Sequence, residues 1–202
     1  MRSFAPGVVA VAAPSAAPSG GATVAASNVI ARAAAAGIRI AVAESLTGGA
    51  LADALVSVPG ASRVFSGAVV AYDTALKASL LGVDPALLRR KGPVDAEVAR
   101  QMARGVRRAC AVPRAAAAGS AESLVRDAEV GIATTGVAGP DPDPQTGQSA
   151  GTVWLGVSIG ERALAIPLVL TGDRAAIRAS TVHAALDALD AAIAREHPEF
   201  EA

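Results

Sequence analysis

Ser45 stands in Ala43-Glu-Ser-Leu-Thr-Gly-Gly49, directly after Ile38-Arg-Ile-Ala-Val42 and ahead of Leu51-Ala-Asp-Ala-Leu-Val-Ser57. The first flank is β-branched and the second has helical spacing, so the stretch reads as strand, tight turn, helix. Such a turn places a serine at the mouth of a sheet, beside the N–H groups that open a helix. Peptide dipoles favour negative charge there. A serine so placed can attack a carbonyl while nearby backbone N–H groups hold the oxyanion. The competing reading is structural: Ser45 or Thr47 caps the helix and Gly48-Gly49 eases a close contact.

A serine nucleophile needs a base. The two histidines are His183, read as a half-buried residue of the last helix, and His197, in the C-terminal tail. Neither belongs to a strand-end loop, so a Ser-His-Asp triad is not expected. Lys77 and Tyr72, in Tyr72-Asp-Thr-Ala-Leu-Lys77, are the better candidates. A lysine stripped of water beside polar groups loses its proton near neutral pH. Each also has an ordinary reading, Lys77 as a solvated helix residue and Tyr72 as a core ring. Glu44 has no histidine or second carboxylate at ligand spacing, so no metal is expected. The glycine-rich strand-end loops match neither a Walker A nor a G-x-G-x-x-G pattern, which argues against ATP and NAD as cofactors.

The elements that must position these residues follow from the pattern. The 202 residues suit one domain with some chain left over. Residues 1–25 are rich in Ala, Pro, Ser and Gly and read as a flexible tail; residues 26–202 form the domain. Ser27-Asn28 is read as the cap of a first helix from Val29 to Ala36. Val64 to Tyr72 is read as a strand buried on both faces. Asp73 or Thr74 caps a short helix, Asp84-Pro85 starts another, and Asp95 caps a long amphipathic helix with Val98, Met102, Val106 and Ala109 on one side. Residues 113–127 read as a surface excursion. A strand from Glu129, then two strands about Gly160-Glu161 as a hairpin, precede a last helix opened by Gly172-Asp-Arg174. Pro167 puts the second hairpin strand near an edge or a bulge. The expected fold is α/β, a three-layer α/β/α sandwich with a mixed sheet.

Bulk composition excludes several partners. Formal net charge is zero and aromatics are 2%, so neither nucleic acid nor a membrane surface is expected as a partner. Cys110 is the sole cysteine, which excludes an intramolecular disulfide and a thiolate zinc cage. No run of about eighteen apolar residues is free of Gly, Pro and charge. The short apolar run near Arg2 reads as an extension rather than a secretion signal, which leaves the cytoplasm as the default location.

Taken together, the segments resemble the CinA C-terminal domain family, the nicotinamide-nucleotide amidases. The pieces are Ala43-Glu-Ser-Leu-Thr-Gly-Gly49, Val58-Pro-Gly-Ala-Ser62, Tyr72 to Val83, Lys91-Gly-Pro-Val-Asp-Ala-Glu-Val-Ala99, Thr135-Gly-Val-Ala-Gly-Pro140, Gly151-Thr-Val-Trp154 and Gly172-Asp-Arg174. They cover residues 28–195 in the family's order. The resemblance implies hydrolysis of the carboxamide of nicotinamide mononucleotide to nicotinic acid mononucleotide and ammonia, without a cofactor. It implies that Ser45 attacks, that Lys77 takes its proton, and that Tyr72 joins the relay or orients the substrate. N–H groups at Leu46, Thr47 and Gly48 would hold the oxyanion. Thr135 and Gly136 would line the site, and Arg174 would bind the phosphate. It also implies a homo-oligomer.

The chain departs from the family pattern at Leu46, usually Cys, at Thr74, usually Asn, and at Pro93-Val94-Asp95, usually Ala-Val-Ser. The 113–127 segment looks longer than the family norm. The molybdopterin-binding-like domain of longer members has no counterpart in these residues. Two other readings stay open: a non-catalytic nucleotide- or partner-binding module linked to competence or DNA damage, and the same chemistry on a different amide.

Overall fold

Strand β1 (Ile40–Glu44) is buried along its whole length, and its alternation accounts for the three layers. Ile40 and Val42 enter one apolar core while Ala41 and Ala43 enter the other, as the two-residue period of a strand requires. The computed structural model describes residues 20–115 and 123–197. Around β1 it places α1 (Gly20–Ala36), α2 (Ala50–Val56), β2 (Phe65–Val70), α3 (Thr74–Ser79), α4 (Pro85–Lys91) and α5 (Ala96–Ala109). Then follow β3 (Val112–Ala115), β4 (Ser123–Arg126), β5 (Val130–Gly136), β6 (Thr152–Ile159), β7 (Arg162–Val169) and α6 (Arg174–Glu196).

The main sheet has the order β2-β1-β5-β6-β7. β1 is parallel to β2 and β5, while β5–β6 and β6–β7 are antiparallel. The mixed α/β sandwich is the fold expected from the sequence. One core joins the sheet to α1, α2 and α6 through Val29, Leu51, Leu55, Leu186 and Ile193. The other joins it to α5 and the short helices through Leu81, Val98, Met102 and Val106. On that side the backbones come close: a Cβ on Gly131 would stand 2.0 Å from the Ala103 carbonyl, and one on Gly156 2.0 Å from the Ala99 carbonyl. Glycine is therefore what allows α5 to lie on the sheet.

Several expectations need correction. α1 starts at Gly20, not near Val29, so helix has replaced the expected tail by residue 20; residues 1–19 lie outside the described residues. Alanine has the highest helix propensity, and burial of Ala26 against the core extends the helix backwards. Ser27 is inside it, its hydroxyl donating to the Thr23 carbonyl at 2.8 Å instead of capping. β2 is an edge strand with alternate residues exposed, not one buried on both faces. Ala109 is exposed at the end of α5, although Val98, Met102 and Val106 are buried. The 113–127 segment includes an antiparallel ribbon of β3 and β4, with all four β4 residues exposed; residues 116–122 lie outside the described residues. Pro167 does lie on an edge strand, β7. The helix caps at Asp73, Asp84, Asp95 and Asp173 all form, each carboxylate accepting a backbone N–H. Among the described residues no helix is long and apolar enough to cross a membrane.

Candidate active site

The three parallel strands end at one edge of the sheet, where α/β folds gather ligands. The ladder continues past their ends. Ser45 N–H donates to the Thr134 carbonyl at 3.0 Å, and Ala71 N–H donates to the Glu44 carbonyl at 2.8 Å. Ser45 from β1, Ala71 and Tyr72 from β2, and Thr135 and Gly136 from β5 are thereby fixed side by side. Ser45, Tyr72, Thr135 and Gly136 open on a groove of about 480 Å³, also lined by Leu46, Lys77, Val94, Asp141 and Arg174.

The central pair is Lys77 and Ser45. The Asp73 cap starts α3, and the helix carries Lys77 back under the turn. The ammonium donates to Ser45 Oγ at 3.0 Å and to the Ala71 carbonyl at 2.7 Å. Lys77 is 1% exposed, so it is no solvated helix residue. Burial lowers its pKa from the ordinary 10.5 to about 8, against the opposing charge of Asp73. Near neutral pH a usable fraction is neutral and can accept the serine proton.

The turn after Ser45 is not held by a Ser or Thr cap. The N-cap of α2 is Gly49, in the left-handed region at φ 98°, after Gly48 at φ 59°. Glycine brings no side-chain acceptor, so Glu44 supplies one. Its fully buried carboxylate accepts from Gly49 N–H at 2.9 Å, Leu51 N–H at 3.1 Å and Ala52 N–H at 2.9 Å. The N–H groups that open the helix are thus occupied and cannot serve an oxyanion. Gly48 N–H is occupied too, donating to the Ser45 carbonyl at 3.1 Å, which removes Gly48 from the expected donors. Leu46 and Thr47 N–H have no partner among the described residues. The Thr47 side chain is buried away from the groove, its hydroxyl 2.8 Å from that of Thr134.

The remaining expected residues divide. Thr135 lines the groove and its hydroxyl donates to the Pro93 carbonyl at 2.7 Å; Gly136 lies beside it. Arg174 spans the rim, donating to the Gly139 carbonyl at 2.7 Å and to Tyr72 Oη at 2.6 Å. Tyr72 is 57% exposed, so it is not a core ring. Its hydroxyl bonds neither Ser45 nor Lys77 among the described residues, so the proton-relay role expected of it has no bond to run through. It stands at the rim of the groove. His183 is half-buried in α6 near Asp187, and no histidine lines the groove. Among the described residues no group of three metal-ligating side chains assembles. Sequence reasoning missed the capping role of Glu44 and the position of Arg178, which grips the turn through the Leu46 and Thr47 carbonyls. The absence of a side-chain acceptor at Gly49 and the four-residue spacing from Arg174 were the available signals.

A family model described as the CinA C-terminal domain matches residues 22–193. The chain belongs to this family. A CinA-like protein of Frankia casuarinae is 43% identical over 73% of this chain and 30% of its own length. Another, from Acidobacterium capsulatum, is 37% identical over 75% of this chain and 32% of its own. The chain therefore spans about a third of the curated relatives it matches. Among solved structures, a CinA superfamily protein from Klebsiella pneumoniae has a TM-score of 0.74 at 28% identity, covering 86% of this chain and 98% of that one. A competence/damage inducible protein, CihA, from Agrobacterium tumefaciens has a TM-score of 0.72 at 29% identity, covering 88% and 98%. Of the departures from the CinA pattern, Asp95 caps α5 and does not line the groove, so its charge is not directed at a bound phosphate. Leu46 is 4% exposed and packs in the core.

Proposed function

We propose that this CinA domain hydrolyses the carboxamide of nicotinamide mononucleotide, releasing ammonia and nicotinic acid mononucleotide. The observation that carries the reading is the buried Lys77 amine 3.0 Å from Ser45 Oγ, with its pKa lowered to about 8. Ser45 Oγ bonds to the amide carbon while its proton passes to neutral Lys77 Nζ, and the carbonyl oxygen takes the negative charge. The Leu46 N–H, on the groove-lining residue next after the nucleophile, is the donor nearest in sequence to receive it. The C–N bond then breaks, and the lysine proton goes to the departing nitrogen, which leaves as ammonia. Water attacks the acyl-serine and gives a proton to Lys77, which returns it to Ser45 Oγ as the ester C–O bond breaks and the carboxylate is freed.

Arg174 and Tyr72 sit at the rim, where a phosphate on the far end of the substrate would reach. The groove has room for a ligand of nucleotide size. Incubating the purified chain with the mononucleotide and measuring ammonia tests the reading. Release that Ser45→Ala and Lys77→Ala both abolish supports it. Calorimetric binding without ammonia would instead make the groove a nucleotide-binding module, and release from a different amide would change the substrate alone.

A further inference from the structure

Arg178 has no part in the steps above. It lies one helical turn beyond Arg174 on α6, half-buried, with its guanidinium laid across the nucleophile turn. Nε donates to the Leu46 carbonyl at 3.0 Å and Nη2 to the Thr47 carbonyl at 2.7 Å. A Cβ on Gly48 would stand 3.5 Å from Nη2, which measures how closely the planar group follows the backbone.

Thr47 is fully buried and does not line the groove, so its N–H is closed to a ligand, whereas Leu46 lines the groove beside Ser45. Two charge-assisted bonds to successive carbonyls fix the backbone that follows the nucleophile. Neighbouring N–H groups of the turn are already tied. Gly48 donates to Ser45, Ala50 to Thr47, and Gly49, Leu51 and Ala52 to Glu44. The Leu46 N–H, next after the nucleophile, has no partner among the described residues. Glu44 therefore fixes the turn from its helix side and Arg178 from its carbonyl side.

We infer that Arg178 is a positioning residue for the nucleophile turn: by holding the Leu46 and Thr47 carbonyls it keeps Ser45 Oγ and the Leu46 N–H in place at the groove for the attack. The inference rests on the amidase reading. It gives α6 two separate duties, phosphate recognition at Arg174 and transition-state support one turn later. A lysine cannot replace Arg178 fully, since one ammonium lacks the planar fork that reaches two carbonyls at once.

Two readouts on Arg178→Ala and Arg178→Lys test it. One is ammonia release resolved into kcat and KM across pH. The other is labelling of Ser45 by a fluorophosphonate, in which Oγ–P forms, P–F breaks, fluoride leaves and Lys77 takes the proton, with the P=O oxygen standing where the oxyanion would. Arg178→Ala should lower kcat and the labelling rate by roughly ten- to hundredfold, less than deletion of an oxyanion donor outright. KM and the ascending pH limb should stay in place, and Arg178→Lys should recover part of both rates. Wild-type rates in either variant overturn the inference, as does a loss carried by KM or by a displaced pH limb. Arg178→Lys decides the matter if Arg178→Ala does not fold. Labelling that depends on Arg178 in a chain that releases no ammonia would sink the substrate reading and leave this one standing. A wild type that neither releases ammonia nor labels at Ser45 overturns both.

Discussion

Lys77 Nζ lies 3.0 Å from Ser45 Oγ and 2.7 Å from the Ala71 carbonyl, at the ends of two adjacent parallel strands. The ladder that pairs β1 with β2 thus sets the distance between the two groups. A one-residue slip of that register would turn each strand's side chains to the opposite face. Ammonia release should rise with pH through about 8, as Lys77 loses its proton. The same group sets a stability window. Its folded pKa lies below the ordinary 10.5, so the unfolded chain binds more protons between about 8 and 10.5. Stability therefore rises with pH across that window. Urea unfolding of wild type against Lys77→Met should show the difference between them change by roughly 3 kcal/mol from pH 8 to 10.5. A constant difference would contradict the burial argument.

Asp73 acts on this amine from the start of α3. Its charge raises the Lys77 pKa, in opposition to burial. Asp73→Asn keeps an N-cap acceptor for Ala75 N–H and removes the charge. The ascending limb of the pH–rate profile should then move to lower pH, with little change in unfolding midpoint. A limb that stays in place would mean that another group sets the profile.

Much of this arrangement was legible in the sequence, and the parts that were not share a cause. Ser45 and Lys77 stand out locally because strand-turn-helix patterns and cap residues mark strand-end loops, whereas Thr135, Gly136 and Arg174 are singled out by the family resemblance. The helix caps at Asp73, Asp84, Asp95 and Asp173 needed only near neighbours, and all four form. What escaped depends on contacts distant in sequence. Arg178 reaches a turn more than 130 residues away, Tyr72 meets Arg174, and β2 is partly exposed, with no strand among the described residues on its outer edge. The capping role of Glu44 escaped for a different reason. A carboxylate before a glycine-capped helix satisfies the helix itself, and no spacing rule for metal ligands bears on that.

Glu44 should be a stability residue first. Three N–H groups of α2 depend on its buried carboxylate. Glu44→Gln keeps the shape but turns an NH2 group towards donors and loses the charge–dipole attraction. Denaturant unfolding should report a loss of about 1.5–3 kcal/mol, the range for hydrogen bonds to a charged group. Activity should fall as well, since the same bonds fix the turn that carries Ser45. A variant as stable as wild type would show that α2 is held by packing alone.

Arg174 offers the test that separates substrate recognition from chemistry. Its guanidinium is steadied by the Gly139 carbonyl and by Tyr72 Oη, which leaves it facing the groove rim rather than Ser45. If it receives the phosphate of the mononucleotide, Arg174→Ala should raise KM for that substrate by roughly ten- to hundredfold, the value of a lost charge-assisted bond. The change in kcat should be smaller, because the contact is made in the ground state and the transition state alike. Nicotinamide riboside lacks the phosphate, so its kcat/KM should be nearly unaffected by the substitution. Tyr72→Phe should show a weaker version of the same pattern, since the ring remains while the hydroxyl that receives Arg174 is lost. Equal losses with the mononucleotide and the riboside would place Arg174 in the support of the catalytic turn and remove the phosphate from its role.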